Sequence, residues 1–172
     1  MCEVSKMKLE FSSQQECKLN MLEYQGLWHI YGSQIVESFE EVTGLNFLEE
    51  TIKADVGRYS TNFAGNNLNE PMQFRFSVRH KLGTLFHELS HRLLLEHNLE
   101  YFGIVENDHE FIDLFLFDVV KLAFGEAAAY ERMNYELTFP EEEIPNAWKK
   151  IMMYNYEERQ KLMKQIIHSN NE

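Results

Sequence analysis

Residues 79–98 run RHKLGTLFHELSHRLLLEHN, and both the fold and the chemistry turn on how this stretch coils. At about 3.6 residues per turn, Leu82, Leu85, Phe86, Leu89 and Leu93 gather on one side, the signature of an amphipathic helix packed on a core. On the other side His87 and His91 project about 40° apart, so both imidazoles reach one tetrahedral metal ion. Glu88 lies about 100° further round, at the edge of that face. This is too far to ligate well but suits holding a water against the metal. Gly83 and Thr84, one turn earlier on the metal face, are small and leave room for a substrate.

A His-Glu-x-x-His pattern is short and also arises by accident, here in a chain with seven His and 28 acidic residues. An accidental match seldom falls mid-helix with the apolar stripe opposite its His pair. His87-Glu88-Leu89-Ser90-His91 resembles the active-site helix of the zincin superfamily of zinc metallopeptidases. The resemblance implies that His87 and His91 bind zinc, that Glu88 is the general base, and that a third ligand comes from a following helix. It does not name a substrate.

Working outward, the 172 residues suit a single domain spanning 1–172, with 44% hydrophobic and 13% aromatic content. Three Pro and eight Gly leave little linker material, and no internal repeat stands out. A formal net charge of −12 disfavours nucleic acid or an anionic membrane as partner. Cys2 and Cys17 are too few for a disulfide framework, and the charged N-terminus does not resemble a signal peptide. A cytoplasmic location with reduced thiols is the expectation. The most apolar segment, 111–124, is interrupted by Asp113, Asp118 and Lys121 and reads as a buried helix rather than a membrane span.

Upstream of the motif, Met7, Leu9 and Phe11 alternate with polar residues as in a strand. Ser12 and Ser13 then offer caps for a helix running toward Val42, with Gly44 placed to end it and Gly26 or Gly32 able to divide it. Ile52-Ala54-Val56 and Met72-Phe74-Phe76-Val78 alternate as two further strands, separated by a turn-rich loop at 59–70. In zincins an edge strand beside the metal helix pairs with extended peptides. The resemblance therefore makes 72–78 a candidate substrate strand, an ordinary core strand being the alternative.

Downstream, Asp108 is a candidate N-cap for an apolar helix from His109 to about Phe124. The third ligand is expected here. An imidazole at His109, in the first turn, can meet the preceding helix across one loop, and Asp113 on the same face can accept its other ring N–H. Glu110 and Glu106 are the rivals. One zincin branch ends its ligand set with Glu, which would select Glu110. Another, which includes SprT-like peptidases, ends with His, and Asp108-His109-Glu110-Phe111-Ile112-Asp113 is more similar to that kind and to small bacterial zincin-like proteins.

His80 reads as a helix-start residue, and His29, His97 and His168 as surface. Tyr130 and Tyr135, on a helix expected from Glu126 to Leu137, are read as packing residues, although some zincins use a downstream Tyr as an oxyanion donor. A loop through Pro140 and Pro145 leads to one terminal helix, 148–167.

These readings combine into an α+β, zincin-like, helix-rich domain with a small sheet beside the motif helix. The implied activity is peptide-bond hydrolysis of a peptide or protein substrate by a zinc-activated water, with Zn²⁺ on His87, His91 and His109 and Glu88 as base. A zincin-fold binding module that holds zinc without turnover is the alternative. A helical interaction protein with an accidental motif is a third.

Overall fold

The apolar alternations at 7–11, 52–56 and 72–75 become a three-stranded parallel sheet in the computed structural model, which describes residues 7–75, 80–101, 103–140 and 142–170. Six α-helices accompany the sheet among the described residues, an α+β composition. The chain divides into two compact units, Met1–His97 and Asn98–Glu172.

In the first unit, β1 (Lys8–Ser13), β2 (Thr51–Gly57) and β3 (Met72–Arg75) lie in the order β1-β2-β3, with Leu9 opposite Ile52 and Val56 opposite Phe74. Parallel neighbours need a crossover. Between β1 and β2 it is α1 (Lys18–Thr43), entered through a single 3-10 turn at Gln15–Cys17. The expected serine cap is not used, because Ser12 belongs to the strand and donates to Asp55 Oδ1. The helix also runs unbroken through Gly26 and Gly32. At Gly32 the missing Cβ has a packing reason: it would stand 2.9 Å from the Trp28 indole. Gly44, at φ 72°, closes the helix as expected.

The crossover from β2 to β3 has no helix. Residues 58–71 return as an irregular strap, whose carbonyls need donors. Arg92, on α2 (Lys81–His97), supplies them: its guanidinium donates to the carbonyls of Ala64, Asn67, Leu68 and Glu70 at 2.7–3.3 Å, and its Nε to Glu49 at 2.9 Å. Arg92 is 1% exposed, so sheet connection and motif helix share one buried cation.

The strap also decides the fate of β3. Phe63 and Gln73 exchange both backbone hydrogen bonds, at 2.6 and 2.9 Å, and the Arg75 N–H donates to Asn62 Oδ1 at 2.8 Å. The edge expected to receive a peptide is therefore already paired at Gln73 and Arg75. The reading of 72–75 as a substrate strand is corrected to a covered edge; its continuation, 76–78, lies outside the described residues.

The core of this unit joins Ile52, Val56, Met72 and Phe74 of the sheet to Tyr24, Ile35 and Phe39 of α1 and Leu85, Phe86, Leu89 and Leu93 of α2. Tyr24 and Phe74 meet at 4.8 Å between ring centroids, and Phe39 and Phe86 at 6.0 Å. Of the five residues assigned to the apolar face of α2, these four are buried and Leu82 is half-buried. Asn98, at φ 46°, ends α2 in the left-handed conformation that Asn tolerates.

The second unit is helical. The α3 helix (Asp108–Phe124) is buried along most of its length and packs on α4 (Glu126–Glu136), α5 (Glu143–Ile151) and α6 (Tyr156–Ser169). Gly125, at φ 89°, makes the sharp turn from α3 to α4. The single terminal helix expected at 148–167 is instead two. Asn155 and Glu158 form a reciprocal capping box that starts α6 anew. The first of the two begins earlier than expected, with Pro145 accommodated in its first turn, where its missing N–H costs no helical bond. No described helix is long and apolar enough to cross a membrane.

Candidate metal site and its supporting residues

Position i and i+4 on α2 bring His87 and His91 together as the spacing predicts. Their Nε2 atoms stand 3.2 Å apart, with ring centroids 4.9 Å apart and planes inclined by 66°. Two nitrogens on one tetrahedral zinc, each at about 2.0–2.1 Å, are about 3.3 Å apart, so the pair fits such an ion. Imidazole donors suit zinc, copper, iron and nickel alike. Without a cation between them, the same separation lets one ring donate a hydrogen bond to the other. His87 is buried at 8% exposure and His91 half-buried; Glu88, between them in sequence, is 5% exposed. Thr84, one turn earlier, is buried, and its hydroxyl and N–H donate to the carbonyl of His80 at 3.2 and 2.9 Å.

Further along α2, Glu96 accepts the Leu48 N–H at 2.5 Å. Burial nevertheless pushes its carboxyl up to about 7, against the pull of that hydrogen bond. His97 ends the helix with its Nε2 2.9 Å from the Asn46 carbonyl.

In the second unit the three candidates for the third ligand have distinct surroundings. The helix cap is Asn107, whose Oδ1 accepts the Glu110 N–H at 2.9 Å. Asp108, expected to cap, accepts instead from the Tyr101 hydroxyl, and burial together with that carboxylate raises the Tyr101 phenol. His109 Nδ1 lies 2.9 Å from Glu143 Oε1, at the first residue of α5. Lys150, two turns along α5, contacts both carboxylate rivals: Glu106 at 2.8 Å and both oxygens of Glu110 at 2.9 Å. Hydrogen bonds that Lys150 donates to Glu106 and then Glu110 hold its ammonium above the ordinary value. The 4%-exposed Glu110 also accepts the Glu106 N–H at 2.9 Å. It thus has a structural task that accounts for its charge.

The carboxylate beside His109 is therefore Glu143 and not Asp113. Although Asp113 follows at i+4, it is 1% exposed in the core, where burial and then the charge of Glu136 push its carboxyl well up, with Arg132 pulling the other way. Arg132 donates to Glu136 Oε1, and the Trp148 indole N–H donates to Glu136 Oε2 at 2.6 Å. Tyr130 and Tyr135 pack edge-to-face on Phe117 and Phe139, each at 5.1 Å.

Sequence reasoning missed Glu143, Lys150 and Arg92. Glu143 and Lys150 act across 34 and 40–44 residues, Arg92 across 22–43. Neither periodicity nor motif spacing reports on such distances. The sequence placed Glu143 in a loop between Pro140 and Pro145, whereas it is the first residue of α5. Comparison with protein-family models, with curated proteins and with solved structures finds no match.

Proposed function

We propose that the chain is a zincin-like, zinc-dependent metallopeptidase that cleaves peptide bonds in a peptide or protein substrate. The observation that carries this is the His87–His91 pair, with Nε2 atoms 3.2 Å apart on one helix and Glu88 next to it in sequence. In this reading His109 of the second unit is the third donor. Support comes from its immediate surroundings: the Glu143 carboxylate lies against its Nδ1, while Glu106 and Glu110 are both engaged by Lys150. A set of three protein donors leaves the fourth position open, as in catalytic sites.

Zinc held there supplies Lewis-acid polarisation of the scissile carbonyl and a water acidic enough to ionise near neutral pH. The chain's own work falls to Glu88, which takes the proton from the attacking water on a carboxylate oxygen and hands it to the leaving amine. Burial of the Glu88 side chain strengthens its electrostatic interaction with a nearby cation. The rival reading, a binding module with a closed metal, needs a further ligand such as Glu110 or His80, and Glu110 is engaged by Lys150. The net charge of −12 and the reduced, buried Cys17 are in keeping with a cytoplasmic protein that does not seek nucleic acid or membrane surfaces.

The test is zinc per chain by elemental mass spectrometry on protein without a polyhistidine tag. We expect about one zinc per wild-type chain, lost in His87→Ala, His91→Ala and His109→Ala and kept in Glu110→Ala. Absence of zinc from reconstituted wild type would overturn the proposal, and loss in Glu110→Ala alone would move the third ligand to Glu110.

A further inference from the structure

We propose that Glu143 is a positioning residue for His109, fixing its ring as the Nδ1–H tautomer so that Nε2 is the nitrogen that offers a lone pair to a metal. This rests on the reading of His109 as a ligand. It adds a residue that no motif contains.

The argument begins with donor chemistry. An ionised carboxylate only accepts hydrogen bonds, so the 2.9 Å contact from His109 Nδ1 to Glu143 Oε1 requires the proton to sit on Nδ1. In a neutral imidazole the other nitrogen then carries the lone pair, and a carboxylate on the N–H makes that lone pair more basic. The contact also restricts rotation of the ring, which a first-turn histidine at 19% side-chain exposure would otherwise keep.

The second part is the mounting of the carboxylate. Glu143 opens α5, a helix whose Trp148 and Ile151 are each 1% exposed in the core of the second unit. The Trp148 indole is hydrogen-bonded to the fully buried Glu136, and Pro145 stiffens the first turn. At the other end of α5, two turns on and on the same face, Lys150 grips Glu106 and Glu110. One helix thus presents an acid to the imidazole of α3 and a base to the carboxylates beside it, sorting the three candidate donors by charge.

The test uses the full chain without added metal, with ¹⁵N-labelled histidine, at a pH where the ring is neutral. In wild type the His109 nitrogen shifts should report protonated Nδ1. Glu143→Ala should move them toward the tautomer mixture of an unconstrained imidazole, and Glu143→Gln, whose amide oxygen still accepts an N–H, should restore the wild-type pattern. Competition with a chromophoric chelator should then show zinc bound about 10- to 100-fold more weakly by Glu143→Ala, with Glu143→Gln between. A protonated Nε2 in wild type, or nitrogen shifts unchanged by Glu143→Ala, would overturn the role of Glu143. Wild type that takes up no zinc would instead sink the peptidase proposal, while the nitrogen shifts still decide the positioning one.

Discussion

The motif helix α2 and the first turn of α3 both carry candidate ligands, yet they are built by opposite means. On α2 the two histidines share a face because four residues make just over one helical turn, and there their Nε2 atoms stand 3.2 Å apart. At the start of α3 the neighbours His109 and Glu110 are met by different partners from α5, 34 and 40 residues away. Local spacing makes a pair of donors. Long-range partners decide which contacts each of two adjacent residues makes.

The sharpest way to probe the local side is Glu88→Gln. The substitution keeps size and helix propensity but removes the proposed base, so on the peptidase proposal turnover of a cleaved peptide should fall about 10²- to 10⁴-fold while zinc content holds. Unchanged turnover would overturn the role proposed for Glu88. Next in size is Arg92→Ala, which tests whether α2 also depends on distant partners. It strips the donors from four strap carbonyls and leaves Glu49 without its cation. A loss of about 3–5 kcal/mol in urea unfolding is expected. Arg92→Lys should recover little of it, since an ammonium lacks the planar fork. A loss below about 1 kcal/mol would show that the strap holds itself.

Glu96 gives the comparison a pH axis. Its carboxyl is raised from an ordinary 4.5 to about 7, so between those values the folded protein binds a proton that the unfolded chain has released. Its contribution is full below pH 4.5 and is lost as pH rises through about 7. Glu96→Gln, neutral throughout, should flatten the fall in stability over that window by on the order of 2 kcal/mol, read from unfolding midpoints at successive pH values. The smallest effect is expected at the cap of α3: Asn107→Ala should cost about 1 kcal/mol in thermal unfolding. If it also abolished zinc binding, the first turn of α3 would depend on its own cap more than on α5.

Much of the local structure was legible. The alternation at 52–56, the turn at Gly44, the apolar stripe of α2 and the burial of 111–124 all follow from side-chain period and chain stiffness, which act over a few residues. Boundaries drifted where another residue claimed the expected cap. Ser12 looked like a cap but is drawn into the strand by Asp55, and Asn107 caps α3 ahead of Asp108 because Tyr101 engages the latter. The unbroken α1 shows tertiary packing overriding glycine, since Gly32 is needed small beneath Trp28.

By itself the sequence determined the helical pairing of His87 with His91, the apolar face opposite and the existence of three short strands, because each depends on repeats of two to four residues. Tertiary structure alone decided that the outer edge of β3 is covered by its own strap, that Arg92 pins this strap, and that Glu143 rather than Asp113 meets His109. Those outcomes depend on which groups folding brings within 3.3 Å of one another across 10 to 43 residues. Hydrogen bonds and ion pairs of that range leave no period in the sequence.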